Sequence, residues 1–238
     1  METTKENSQS PLDYLAVSIG QKRPHGGGLG MVVAGAGMGK TALLIQIGLG
    51  ELMAGRRVFH AAVGHPVDYV RNTYDRLLEE HQPAGTTTAP MAALKHELEK
   101  RRHIQSYMGQ SFSVEKVERV LSFLSDEAGF EPDVMLVDGL SITAGSKEPE
   151  QLKQLASRRG FAAWLSVVVD SKRSQGQGAH PPLSEALEPF RHLMDLGLEL
   201  VPEDHGARVG MLTPGGAGLE PSDIGIHVDP FGLLIPRR

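Results

Sequence analysis

The stretch Ala34-Gly35-Ala36-Gly37-Met38-Gly39-Lys40-Thr41 decides the fold. Just before it, Met31-Val32-Val33 is a short apolar run of the kind that forms a buried strand. Just after it, residues 41–55 (TALLIQIGLGELMAG) read as a helix. Strand, glycine-rich turn and helix in that order make a phosphate-binding loop of the pattern Ala/Gly-x-x-x-x-Gly-Lys-Thr. The residue types follow from the chemistry. Glycines let successive backbone N–H groups turn inward around a phosphate with no Cβ in the way. The helix that follows points the positive end of its dipole at the same anion. Gly35, Ala36, Gly37, Met38, Gly39, Lys40, Thr41 and Ala42 are therefore the candidate phosphate-contacting residues. Lys40 would reach the β- and γ-phosphates, and the Thr41 hydroxyl would ligate Mg²⁺. The relaxed pattern arises by chance in only about 2% of chains this long, and the flanking strand and helix lower that further.

The 238 residues allow one α/β domain of generous size. With 40% hydrophobic and 22% charged residues, the composition is that of an ordinary soluble globular chain. There is no cysteine, which excludes disulfides and thiolate metal sites. No stretch approaches a membrane span and no apolar signal core opens the chain, so a cytoplasmic protein is expected. The formal charge of −5 argues against tight non-specific nucleic-acid binding.

Residues 1–12 are polar and unpatterned and read as a disordered tail, with residues 13–238 forming one domain. Residues 12–19 form a short helix or an entering strand. Core strands are expected at 30–34, 57–63, 133–138 and 163–169, with a shorter one at 103–107. Helices are expected at 41–54, 66–80, 91–101, 148–159 and 184–194. Another, from an N-cap at Ser113 to about Ala128, carries Val114, Val117, Val120, Leu121 and Leu124 at helical spacing. Apolar strands alternating with helices mean a parallel sheet covered on both faces. Residues 170–182 form a long polar loop. Beyond it, short runs at 197–201, 208–212, 224–228 and 231–235 suggest an antiparallel meander at one sheet edge.

Asp138 closes the apolar run Val134-Met135-Leu136-Val137 and fits an acidic residue that holds Mg²⁺, directly or through water. An apolar run ending in Asp is a weak signal alone and a much stronger one when paired with Lys40. Ten histidines form no HExxH and no paired i, i+4 arrangement, so they read as scattered surface residues. Trp164 reads as core packing.

At this point the chain resembles the RecA superfamily, and most of all its single-domain KaiC/RadA-type ATPases. The resemblance is carried by AGAGMGKTALLIQIGLGELMAGRRVFHAAVGHPVDYVRN, PDVMLVDGLS and LKQLASRRGFAAWLSVVVDSKR, and spans roughly residues 12–236. LMDLGLELVPEDHGARVGML and the closing IGIHVDPFGLLI agree with it. It implies a RecA-like fold: a central, mainly parallel sheet with helices on both faces and an antiparallel β edge near the C-terminus. ATP with Mg²⁺ would sit at the C-terminal ends of the strands, and a homo-oligomer or a partner protein is expected.

Three departures bear on function. Relatives carry a glutamate after the phosphate-loop helix that orients the attacking water, whereas Val63 and Gly64 stand here, with His65 next. Ring-forming relatives supply Lys and Arg from a strand near the C-terminus, whereas residues 210–216 hold no cation and Arg208 precedes the expected place. At the end of the fourth strand Asp170 and Ser171 replace the usual Gln or His. Binding parts are kept and hydrolysis parts are weak or missing, which implies an ATP-binding switch or assembly subunit with slow or absent turnover. The alternatives are a DNA-dependent ATPase of the recombinase or helicase type and a phosphate-loop transferase. For the former, the loop holding Lys172 and Arg173 lies where relatives contact DNA, but it offers no aromatic to stack a base.

Overall fold

The computed structural model describes residues 11–81, 90–168, 183–215 and 218–236. The chain opens with α1 (Pro11–Ile19), β1 (Leu29–Ala34), α2 (Lys40–Met53), β2 (Val58–Val63) and α3 (Val67–His81). It continues through α4 (Met91–Glu99), β3 (Arg102–Tyr107), α5 (Val114–Ala128), β4 (Val134–Ser141), α6 (Glu148–Arg159) and β5 (Ala162–Val168). The last part holds β6 (Leu196–Glu203), β7 (Gly206–Pro214), β8 (Leu219–Val228) and β9 (Leu234–Pro236).

These nine strands form one sheet in the order β3-β2-β4-β5-β1-β6-β7-β8-β9. Pairing is parallel from β3 to β6 and antiparallel from β6 to β9. The period-2 alternation of each central strand sends its residues to two separate cores. Val32, Ala34, Leu136 and Trp164 pack against α1, α2 and α3 on one face. Met31, Val33, Met135, Val137 and Leu165 pack against α5 and α6 on the other. α2 is buried along most of its length because it lies between the sheet and α1 and α3.

Local signals place the helix ends. The Ser113 side chain accepts a hydrogen bond from Lys116 N, and Gly129 ends α5 in the left-handed region. α6 begins with Glu148 and Glu150 and ends with Arg158 and Arg159, a charge order that suits the helix dipole.

Four expectations need correction. The entering segment is a helix that begins at Pro11, and Leu12, assigned to the tail, is buried in the α1–α2 core. No helix spans 184–194; two short 3-10 turns, Leu183–Ala186 and Glu188–Phe190, stand there instead. Pro189 explains this, since it has no N–H to donate into an α-helix and its ring crowds the preceding turn. β8 starts at Leu219, ahead of the apolar run, because its polar first half pairs with β7 near the sheet edge. Residues 231–233 are not strand, and β9 is only Leu234–Pro236. The expected loop at 170–182, with Asp170, Ser171, Lys172 and Arg173, lies outside the described residues.

Gly30 sits directly across from Trp164 in the β1–β5 register, and its missing side chain leaves room for the indole. A Cβ at Gly30 would run into the Trp164 ring. Gly30→Ala is therefore expected to destabilise the protein by about 1–3 kcal/mol. Urea unfolding followed by the emission of Trp164, the sole tryptophan, reads this directly. An unchanged midpoint and spectrum would contradict the close packing.

Candidate nucleotide-binding site

The 35–39 loop joins the C-terminal end of β1 to α2. Gly39 stands at the N-cap of α2 with φ 84° and ψ 16°, a left-handed conformation that glycine adopts without strain, and no side chain caps the helix. The first-turn N–H groups of α2 therefore lack a side-chain acceptor, which is the arrangement that receives an anion.

Lys40 folds back over its own loop. Its Nζ donates to Ala34 O at 3.0 Å and Gly35 O at 2.6 Å. Burial lowers its pKa, and the Asp138 carboxylate opposes that shift. Gly35 does not line the cleft; its carbonyl serves to hold Lys40. Ala36, Gly37, Met38, Gly39, Lys40, Thr41 and Ala42 all line a cleft of about 670 Å³, and Asp138 lines it too. That volume suits a ligand the size of a nucleotide.

β4 runs on past Asp138 to Ser141, so Asp138 does not end its strand. The ladder with β5 shifts register between Val137 and Leu140. The bulge turns on Gly139, whose φ is +88° and where a Cβ would sit 2.5 Å from Val63 O. Asp138 is 1% exposed. Its Oδ1 accepts from Ser166 Oγ at 2.6 Å, and Ser166 Oγ in turn accepts from Gly139 N at 2.7 Å. Ser166 comes from β5, the strand between β1 and β4, and so ties the acidic strand to the strand beside the loop. Asp138 Oδ2 is buried without a hydrogen-bond partner among the described residues. A buried, unpaired carboxylate oxygen beside a threonine hydroxyl is a donor set that fits a hard divalent cation.

The remaining lining comes from α3 and from the 229–232 turn. His65 and Tyr69 stack at a centroid distance of 4.8 Å, and Thr73 and Arg76 follow along α3. Arg76 pairs with Glu80 at 3.0 Å. Lys40 and Arg76 are the only Lys or Arg lining the cleft among the described residues, and no glutamate among them lines it. Arg208 pairs with Glu203 at 3.7 Å and does not line the cleft. Phe231 is 74% exposed within the turn.

Ser166, Arg76 and the turn were not singled out from the sequence. Ser166 was detectable as the one polar residue in the apolar run AWLSVVV. His60 gave a similar signal in VFHAAV. It is fully buried on β2, with Nδ1 3.1 Å from the Tyr74 hydroxyl.

No family model matches the sequence, and no curated protein does. Among solved structures, the chain is similar to the ATPase domain of a DnaB-like helicase of the RecA fold. The TM-score is 0.63 at 14% identity, covering 90% of this chain and 86% of that one. The chain has a RecA-like fold. At that identity the likeness speaks for architecture, and the site rests on its own geometry.

Burial lowers the His60 pKa from 6.5 to about 4; the nearby Asp138 opposes the shift, and Arg102 and His65 add to it. Between pH 6.5 and 4 the unfolded chain binds more protons at this position than the folded one. Stability therefore falls as pH drops through that window. His60→Phe is expected to flatten the acid arm of the stability profile by up to about 3 kcal/mol, measured by denaturant unfolding from about pH 7 to about pH 4.5. A variant whose slope with pH matches the parent would contradict the assignment.

Proposed function

We propose that this chain is a single RecA-like, KaiC/RadA-type nucleotide-binding domain that takes ATP with Mg²⁺ and turns it over slowly or not at all. The observation that carries this reading is one cleft uniting the uncapped α2 N-terminus, the Lys40 ammonium and the unpaired Asp138 Oδ2. The loop amides would grip the β- and γ-phosphates, and Lys40 would exchange its two loop carbonyls for phosphate oxygens. Thr41 and Asp138 would hold Mg²⁺, which when bound offsets charge on the phosphate oxygens. Ser166 keeps Asp138 aimed into the cleft. Phe231, exposed on the 229–232 turn, offers an apolar face to the nucleoside end of the ligand.

The slow-turnover part rests on what lines the site. Orienting water and offsetting developing charge supply most of phosphoryl-transfer catalysis. Val63 and Gly64 stand where a water-orienting carboxylate is usual, and the only second cation among the described lining residues, Arg76, is paired with Glu80. A domain that binds and holds ATP suits a nucleotide-dependent switch or assembly subunit of a cytoplasmic homo-oligomer or protein complex. A working ATPase is the second reading, favoured by the similar solved structure being an ATPase domain.

Calorimetry should detect Mg–ATP binding to the wild type and none to Lys40→Ala. Steady-state phosphate release should stay below about 10⁻² per second. Turnover near one per second would remove the switch reading in favour of an active ATPase. Absence of binding at millimolar Mg–ATP would remove the nucleotide reading itself.

A further inference from the structure

Within the otherwise apolar or small-residue interior face of α2, Gln46 is fully buried. Its Nε2 donates to Ala42 O at 3.2 Å and to Gly232 O at 2.7 Å. Its Oε1 accepts from Leu234 N at 3.0 Å and lies 2.6 Å from His81 Nε2. A primary amide has two N–H donors and two lone-pair directions, and all four are used here. The orientation is fixed by chemistry: Leu234 N only donates and Gly232 O only accepts, so a flipped amide would lose both bonds. With Oε1 facing it, His81 Nε2 must carry the proton.

The partners come from three separate elements. Ala42 belongs to the first turn of α2, His81 is the last residue of α3, and Gly232 and Leu234 bracket the junction between the 229–232 turn and β9. The ladder between β8 and β9 covers only the pairs from Ile226–Pro236 to Val228–Leu234, so the turn lies beyond regular sheet bonding. Inside the turn, Asp229 Oδ1 accepts from Phe231 N at 2.9 Å and Leu233 N at 2.7 Å. Those bonds shape the turn but do not attach it to anything else. Its attachment to α2 is Gln46 together with contact: a Cβ on Gly232 would lie 2.6 Å from Ala42 Cβ. Phe231, Pro230 and Asp229 line the cleft from this turn, and Ala42 lines it from the helix.

We infer that Gln46 is a positioning residue of the cleft, seating the 229–232 turn on the phosphate-loop helix so that the turn meets the nucleoside end of a bound nucleotide. The inference deepens the nucleotide reading and rests on it. Gln46 itself does not line the cleft, so it acts through the turn. The phosphate end of the ligand is held by the loop, Lys40 and the Mg²⁺ donors, none of which depends on the turn. Disturbing Gln46 should therefore split the two ends of the ligand. Loss of fold would not.

The test is calorimetry on the full chain with two probes, Mg–ATP and Mg–tripolyphosphate, the second having no nucleoside. Wild type should bind Mg–ATP more tightly than tripolyphosphate. Gln46→Met, close in size but unable to make the four bonds, should weaken Mg–ATP about tenfold while tripolyphosphate stays within about twofold. Gly232→Ala displaces the turn from the other side with Gln46 intact, and should reproduce the split even where Gln46→Met does not fold. Equal weakening of both probes in Gly232→Ala, or no weakening of either, overturns the positioning role. Wild type that holds tripolyphosphate as tightly as ATP overturns it too, while leaving the phosphate site standing. Wild type that binds neither probe overturns the nucleotide reading and this inference together.

Discussion

An ammonium group drawn out of water is tolerated only where oxygens replace its hydration, and Lys40 meets that condition by turning back on the carbonyls of Ala34 and Gly35. Much of the site follows from this constraint. The loop must bring two carbonyls near the lysine while its amides face outward, which calls for left-handed backbone at Gly37 and Gly39. The helix must begin without a side-chain cap, or its first amides would already be bonded. A negative charge nearby must counter the burial that lowers the lysine's pKa, and Asp138 supplies it.

The sheet order makes these parts meet. Placing β5 between β1 and β4 puts Ser166 where it can bond both Asp138 and Gly139. The bulge at Gly139 lets β4 continue while keeping Asp138 buried and facing the cleft. On the other side of β1, β6 begins the antiparallel run that ends in β9, and the turn before β9 comes back over α2. The cleft is thus bordered by segments from both ends of the chain, joined through a buried amide at Gln46.

Much of this was legible because it is written locally. The phosphate loop, the apolar strands and the Ser113 cap depend on residues within a few positions of one another, and the structure has them where the patterns put them. Asp138 was legible by type, although its strand continues past it because a left-handed glycine is bulged rather than terminal. What escaped depends on distant register. Ser166 meets a residue 28 positions away, and Gln46 meets partners 186 and 188 positions away, so nothing beside them in the sequence names the contact. The misread helix at 184–194 shows the opposite error, apolar spacing outweighing the stop that Pro189 imposes. The polar start of β8 escaped because a strand near the sheet edge needs no alternation to pair.

The central claim is that Lys40 and Asp138 are held ready for a triphosphate and its metal. A crystal structure with Mg²⁺ and a non-hydrolysable ATP analogue tests it most directly. The account predicts Lys40 Nζ released from Ala34 O and Gly35 O onto phosphate oxygens, with Asp138 Oδ2 facing the magnesium shell. A nucleotide bound elsewhere, or a Lys40 still on its own loop carbonyls beneath a bound triphosphate, would contradict it.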